Sequence, residues 1–281
     1  IILKTQTNDM IFIIYRKTRS LLIFLCLTQL PKAVFQTRHS ISSLRVQVWE
    51  KAWQCVILLL PISPQDTTCF ISNLFDVPID QLESLPKQLF DKKVDKLKEK
   101  TRGKLIVKEY PTASAHSGHF RALLDELKLK KNFKPDVIYI DYLNICGSSR
   151  MKGLGGSVNT YSLIKAIAEE LRGLAVEHNV PIWSATQVTR TGFGNTDVEL
   201  TDTSESFGLP ATADLMLALI STEQLEGMNQ LMVKQLKNRY NDPTQDKRFV
   251  VGIDRAKMRL YDVEDSAQTL SSDEITTPAA P

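Results

Sequence analysis

Pro135-Asp136-Val137-Ile138-Tyr139-Ile140-Asp141-Tyr142-Leu143 is the stretch on which the fold turns. Its centre is too apolar for a surface strand, and a short apolar run of this kind reads as a strand buried on both faces of a parallel sheet. Asp141 then leaves the strand at the carboxyl edge of the sheet, where open α/β folds bind their ligands. A carboxylate there can hold Mg2+, directly or through water, beside a nucleotide phosphate. Taken alone, Asp141 also reads as a helix cap or a loop aspartate, and that plainer reading is the commoner one.

Working outward, the periodicity supplies the partners such a strand needs. Lys104 to Tyr110 alternates like a strand, and Phe120, Leu123, Leu124 and Leu127 mark an amphipathic helix. Tyr161 to Val176 reads as a helix with Ile164, Ile167, Ala168, Leu171 and Leu174 inward. Pro181 to Gln187, Asp214 to Ile220, Gln230 to Lys237 and Arg248 to Ile253 read as further strands. Strands alternating with helices at this spacing predict an α/β fold with a largely parallel sheet. Upstream, Asp76 is placed to cap a helix with Pro78 near its first turn, and Leu82, Leu85, Leu89, Val94 and Leu97 form the apolar side of that segment. His116 and His119 lack a third ligand nearby and read as the polar start of the Phe120 helix rather than as a metal site.

The bulk numbers exclude little. The chain has 281 residues, 43% hydrophobic and 24% charged, and a net charge of +3 that is too small to argue by itself for a nucleic-acid surface. Cys26, Cys55, Cys69 and Cys146 follow no metal-ligand or disulfide spacing, so a reducing compartment is expected. Arg16-Lys17-Thr18-Arg19 followed by Ser20 to Leu27 has the charge-then-apolar order of a signal peptide, but its apolar part is far short of the roughly 20 residues that span a bilayer. Secretion or membrane attachment through Leu21 to Leu27 is the outlying reading.

The texture of the chain changes near residue 72. All twelve glycines lie between Gly103 and Gly252, and residues 1–72 mix apolar runs with basic residues without a helical or strand period. Residues 1–72 are expected to be an aberrant, poorly ordered segment, residues 73–263 the folded domain, and residues 264–281, rich in Ser, Thr, Asp and Pro, a disordered tail. A glycine-rich loop with a lysine, the phosphate-cradling partner of Asp141, belongs upstream of it, where no glycine stands.

Other candidate site residues sit at strand ends. Gln187 closes Ile182-Trp183-Ser184-Ala185-Thr186-Gln187 and is placed to read a γ-phosphate or orient water; alone it is a polar residue leaving a core strand. Lys237 and Arg239 fall on one side of a strand end by its two-residue period, either as a solvated edge or as cations aimed at a neighbouring subunit's nucleotide.

Together, I-Y-I-D-Y-L-N-I, then W-S-A-T-Q-V, A-T-A-D-L-M-L-A-L-I and K-N-R-Y-N-D-P, in this order, resemble the RecA-like motor domain of DnaB-type, superfamily 4 replicative helicases. The likeness covers roughly Asn73 to Asp262 and implies a RecA-like P-loop NTPase core, here incomplete at its N-terminal side. It implies Asp141 as the Walker B aspartate and metal ligand, Gln187 as the γ-phosphate sensor, and Lys237 and Arg239 as the pair reaching across a subunit interface. It implies two DNA-contacting loops. One is Gly147 to Gly156, carrying Arg150 and Lys152; the other is Asp202 to Gly208, with Ser204 where the bacterial pattern has arginine, and Glu205 beside it. ATP or another NTP with Mg2+, single-stranded DNA, a homo-hexamer, a primase and a helicase loader are the implied cofactors and partners, in the cytoplasm of a cell or phage host and not in a membrane.

The missing half is legible in another frame. Reading Leu44 to Cys55 from the third base of each codon permits A-G-T-G-V-G-K-S-L-A-M, and Trp49 followed by Glu50 forces the central glycine. This contains a Walker A core, G-K-S, whose backbone amides would cradle phosphates. The same frame across Gln65 to Ile71 permits G-H-N-V-L-Y-I, a glycine and then a buried strand. Residues up to about 71 therefore read as out-of-frame translation of helicase sequence. The family's catalytic glutamate has no counterpart between Ile71 and Asn73, so the chain as written is expected to be inactive. A non-catalytic RecA-like assembly or single-strand-binding subunit is the alternative.

Overall fold

The computed structural model describes residues 22–26, 55–60, 71–100, 104–111, 114–150, 159–187, 208–240 and 247–263. Of the segment 1–72 it describes two strands, β1 (Leu22–Cys26) and β2 (Cys55–Leu60), and the start of a helical turn at 71–75; the tail 264–281 lies outside the described residues. Then follow α1 (Ile79–Leu82), α2 (Lys87–Lys100), β3 (Lys104–Glu109), α3 (Ser117–Lys131), β4 (Val137–Ile140), a 3-10 turn at Leu143–Ile145, α4 (Thr160–His178) and β5 (Ile182–Gln187). The chain continues through α5 (Gly208–Thr212), β6 (Leu215–Ile220), α6 (Glu223–Gly227), β7 (Gln230–Asn238), β8 (Arg248–Asp254) and β9 (Arg259–Asp262).

These strands form a nine-stranded sheet in the order β3-β2-β4-β5-β1-β6-β7-β8-β9. The expected parallel arrangement holds for β3, β2, β4 and β5. Here α3 and α4 carry the chain back across the sheet between strands, as parallel pairing requires. Strands β6 to β9 run antiparallel to one another, because short connections rather than long crossover helices join them. Strand β1 lies between β5 and β6 and is antiparallel to both.

The main core lies between the sheet and α3 and α4. Phe120, Leu124 and Leu127 of α3 and Ile164, Ile167, Leu171 and Leu174 of α4 pack with Ile138 and Ile140 of β4, Ile182 of β5 and Met216 and Ala218 of β6. Burying a side chain of this size contributes about 1.5–3 kcal/mol, so the stripe on α4 alone fixes that helix to the sheet. Both helices end on an asparagine in the left-handed region, Asn132 (φ 46°) and Asn179 (φ 50°), whose short polar side chain tolerates that backbone.

His116 begins α3. Its Nδ1 accepts from the Gly118 amide at 3.1 Å, while its own amide donates to His119 Nδ1 at 3.3 Å, a reciprocal cap that accounts for both histidines without a metal. A Cβ at Gly118 would meet His116 Cε1 at 2.8 Å. We expect His116→Ala to cost about 1 kcal/mol in urea unfolding. Gly118→Ala is expected to cost a similar amount, and the double substitution little more than either, since both remove one cap.

A smaller cluster joins Leu74, Phe75, Val77 and Leu97 with Leu82, Leu85, Phe90 and Val94. Two local expectations change here. Phe90 faces this cluster, its ring 5.0 Å from that of Phe75, while Leu89 is exposed, because the stripe on α2 follows the helical spacing 90, 94, 97. Asp76 does not cap α1, whose N-cap is Pro78. It sits at φ 54° and gives its carboxylate to Lys257 at 2.9 Å and Arg259 at 3.4 Å. Asn73 Nδ2 donates to Met258 O at 2.6 Å and the Ile79 amide to Ala256 O at 3.0 Å, so the turn between β8 and β9 is seated on this segment.

Candidate nucleotide site and helicase motifs

Two of the expected site residues come together at one edge of the sheet. Asp141 follows β4 directly, and Gln187 is the last residue of β5, the parallel neighbour of β4. Ser184 Oγ donates to Ile140 O at 2.8 Å, Thr186 Oγ1 to Asn144 Oδ1 at 2.8 Å, and Gln187 Nε2 to the Tyr142 hydroxyl at 3.3 Å. Leu143 is fully buried and anchors the turn between these contacts, so the chain after Asp141 and the end of β5 are held as one unit. Cys146, on the same turn, has its thiol pushed up to about 12, by burial first and then by the charge on Asp141. It therefore stays a neutral thiol at physiological pH.

Among the described residues no group of three or more His, Cys, Asp or Glu converges. Magnesium at Asp141 would rest on that carboxylate, phosphate oxygens and water, an ordinary ligand set for this ion. Asp141 and Gln187 thus fit the metal and γ-phosphate positions. A backbone cradle is a different matter. The strand beside β5 is β1, with Leu22 opposite Gln187 and Cys26 opposite Trp183. The chain leaving Cys26 therefore departs from the other edge of the sheet and cannot lay a following loop over Asp141.

Lys237 and Arg239 lie at that other edge. Met216 pairs with Lys237 at the start of β6, and β6 runs in the same direction as β5, so the end of β7 is opposite the end of β5. Lys237 Nζ donates to the carbonyls of Pro210 and Ala213, the latter at 2.7 Å, and Arg239 Nη1 to Asp214 Oδ1 at 2.7 Å. Burial lowers the Lys237 pKa first, with the charge on Arg239 adding to it and that on Asp214 opposing it. Arg239 keeps 52% of its side chain exposed.

Arg150 is exposed and paired with Glu169 at 2.7 Å. Lys152, Ser204 and Glu205 lie outside the described residues. Sequence reasoning missed two acids, Asp214 and Glu170. Asp214 is buried and receives Arg172 at 3.0 Å, Arg239 at 2.7 Å and the Tyr240 hydroxyl at 3.0 Å. Glu170 is buried on the inward side of α4. Each carried a signal: Asp214 heads a continuous apolar strand, and Glu170 falls in the stripe of Ile167, Leu171 and Leu174. Acids in such places are almost never buried unpaired.

The profile of the DnaB-like helicase C-terminal domain matches residues 65–255. The DnaB-like replicative helicase of Enterobacteria phage T4 is 42% identical over 207 residues, 73% of this chain and 43% of that protein. The chain belongs to the DnaB-like helicase C-terminal domain family. A probable plasmid replicative DNA helicase of Chlamydia psittaci is 29% identical over 190 residues, 64% of this chain and 39% of that protein. The chain thus spans about two fifths of the length of these relatives. Two solved structures share the fold with a TM-score of 0.61 and 15% identity over 75% of this chain. One is a DnaB-like replicative helicase, described with its interactions with primase and 51% covered; the other is an isolated ATPase domain, 75% covered. The RecA-like helicase architecture expected from the ordered motifs is therefore present. Among the described residues no helix is long and apolar enough to cross a membrane.

Proposed function

We propose that this chain carries part of the motor domain of a replicative, hexameric DNA helicase, an NTP-driven machine that translocates on single-stranded DNA. Asp141 is its metal-side carboxylate and Gln187 its γ-phosphate sensor. Mg2+ bound with ATP or another NTP would supply charge neutralisation between the phosphates. The observation that carries this reading is the division of the candidate residues between two edges of one sheet. Asp141 and Gln187 share the carboxyl edge of the parallel strands, whereas Lys237 and Arg239 share the opposite edge. One copy cannot bring all four to a single nucleotide; adjacent copies in a ring can, with Arg239 supplied in trans.

The Gly147 to Gly156 and Asp202 to Gly208 loops are assigned to single-stranded DNA, with Arg150 and Lys152 on phosphates and Ser204 and Glu205 at the second contact. Primase and a loader are the partners this role calls for, in a cytoplasmic setting. Residues up to about 71 we assign to out-of-frame translation, which leaves the chain without the phosphate lysine and without the general base. Codons across residues 40–75 that place a stop or a non-lysine residue in the shifted G-K-S would refute that assignment.

DNA binding tests the loop assignment. Arg150→Ala and Lys152→Ala are each expected to weaken binding of a labelled oligothymidylate whatever its base composition. Each should flatten the dependence of log K on log salt by about 0.7, the value for one phosphate contact on a single strand. An unchanged slope in both would sink the loop assignment. The exposed Arg239 also supports the second reading, a non-catalytic subunit that completes a neighbour's site. Stable co-assembly with an intact helicase, with stimulation lost in Arg239→Ala, would favour it.

A further inference from the structure

We propose that Glu170 is a positioning residue that fixes the course of residues 148–150 and so aims Arg150. The proposal rests on the reading of this loop as a DNA contact. Glu170 lies on the inward side of α4, 8% exposed. Its Oε1 accepts from Ser148 Oγ at 2.6 Å and from the Arg150 amide at 3.2 Å. Its Oε2 accepts from Ser117 Oγ at 2.6 Å, the Ser149 amide at 3.1 Å and Ser149 Oγ at 2.7 Å. Every residue from 148 to 150 thus contributes a donor to one carboxylate, and Ser117 ties the same carboxylate to the first turn of α3. The Gly147 amide adds a bond to Ala115 O at 2.7 Å, so the root of the loop is fastened to both helices that flank β4.

None of these donors is a cation. A buried carboxylate that gathers hydroxyls and amides gains its stability from bonds that only the anion can accept in this number. Burial would raise the Glu170 pKa, but the hydroxyls of Ser117, Ser148 and Ser149 and the Ser149 amide outweigh it and hold the carboxyl down at about 2. The anion therefore persists through any ordinary binding condition. The next residue of α4, Glu169, takes the Arg150 guanidinium at 2.7 Å. Glu170 fixes where Arg150 starts, and Glu169 holds its far end until a phosphate replaces it.

The test is a cycle of Glu170→Gln and Arg150→Ala in the full chain. Amide hydrogen exchange at Ser149 and Arg150 should accelerate in Glu170→Gln while amides in the middle of α3 and α4 keep their protection. Affinity for a labelled oligothymidylate should fall by about tenfold, within the range of coupling for groups in one hydrogen-bonded network. In the Arg150→Ala background the same substitution should then cost nothing further. Unchanged exchange at residues 148–150 overturns the proposal, and so does an equal loss of affinity in both backgrounds, which is what general destabilisation gives. If Arg150→Ala alone leaves affinity unchanged, the DNA reading of the loop fails, and exchange at 148–150 then decides whether Glu170 fixes their course. Glu170→Asp, which keeps the anion but withdraws it, should restore part of the protection that Glu170→Gln loses.

Discussion

Purified chain given ATP, Mg2+ and single-stranded DNA should release phosphate at the rate of buffer alone. A typical enzyme turns over at about 10 per second, and phosphoryl transfer owes nearly all of its rate to positioning and charge stabilisation at the phosphates. Asp141 and Gln187 stand at the right strand ends, but no residue of the in-frame sequence before Gly103 can form a glycine-rich cradle. Strand β1, beside β5, directs its following residues to the far edge. With one carboxylate left to hold Mg2+ and the nucleotide's triphosphate otherwise in water, occupancy should be lost along with turnover. Fluorescent-nucleotide titration should show no saturable binding at micromolar protein, and phosphate release near that of an intact helicase would overturn the assignment of residues up to about 71.

Asp214→Ala is expected to destabilise the domain by about 3 kcal/mol, a large share of an ordinary domain's stability. Its side chain is 2% exposed, and Arg172 and Arg239 both bond the same oxygen, at 3.0 and 2.7 Å. Removing the carboxylate leaves two guanidiniums against each other with Lys237 close behind, and the Tyr240 hydroxyl loses its acceptor. Arg239 can turn to solvent more easily than Arg172, whose side chain is 32% exposed, which keeps the cost below that of a wholly buried pair. The urea midpoint should fall with an unchanged m-value. Arg172→Ala, which leaves Asp214 with Arg239 and Tyr240, should cost clearly less; if it costs as much, Asp214 is not the organising charge.

Where each element lies was legible from periodicity, because apolar residues on α3, α4, β4 and β6 follow the spacing of their structure without interruption. The order of motifs was enough to point to the family, since each motif ends a core strand and the strands are forced into register by that core. What periodicity could not show was direction. Strands β6 to β9 carry the same apolar signature whether parallel or antiparallel, and only the lengths of their connections decide. Polar residues acting on other polar residues were also hidden. Glu170 and Asp214 find partners 20 or more residues away, and no local pattern names them. Asp76 misled for a related reason: an aspartate before a helical stretch reads as a cap, and its real partners are 181 and 183 residues downstream.

That last contact has a kinetic meaning. The bonds from Asn73, Asp76 and Ile79 to the turn at 254–258 close a loop of about 180 residues. In an unfolded chain such a closure costs about 4–5 kcal/mol of entropy, far more than a few surface hydrogen bonds and an exposed ion pair return. The clasp can form only after the sheet between has already brought its two halves near. Residues 71–82 and the β8–β9 turn are therefore the last part of the domain to close and the first to open, and they do so together. A protease cut in either one would release the other.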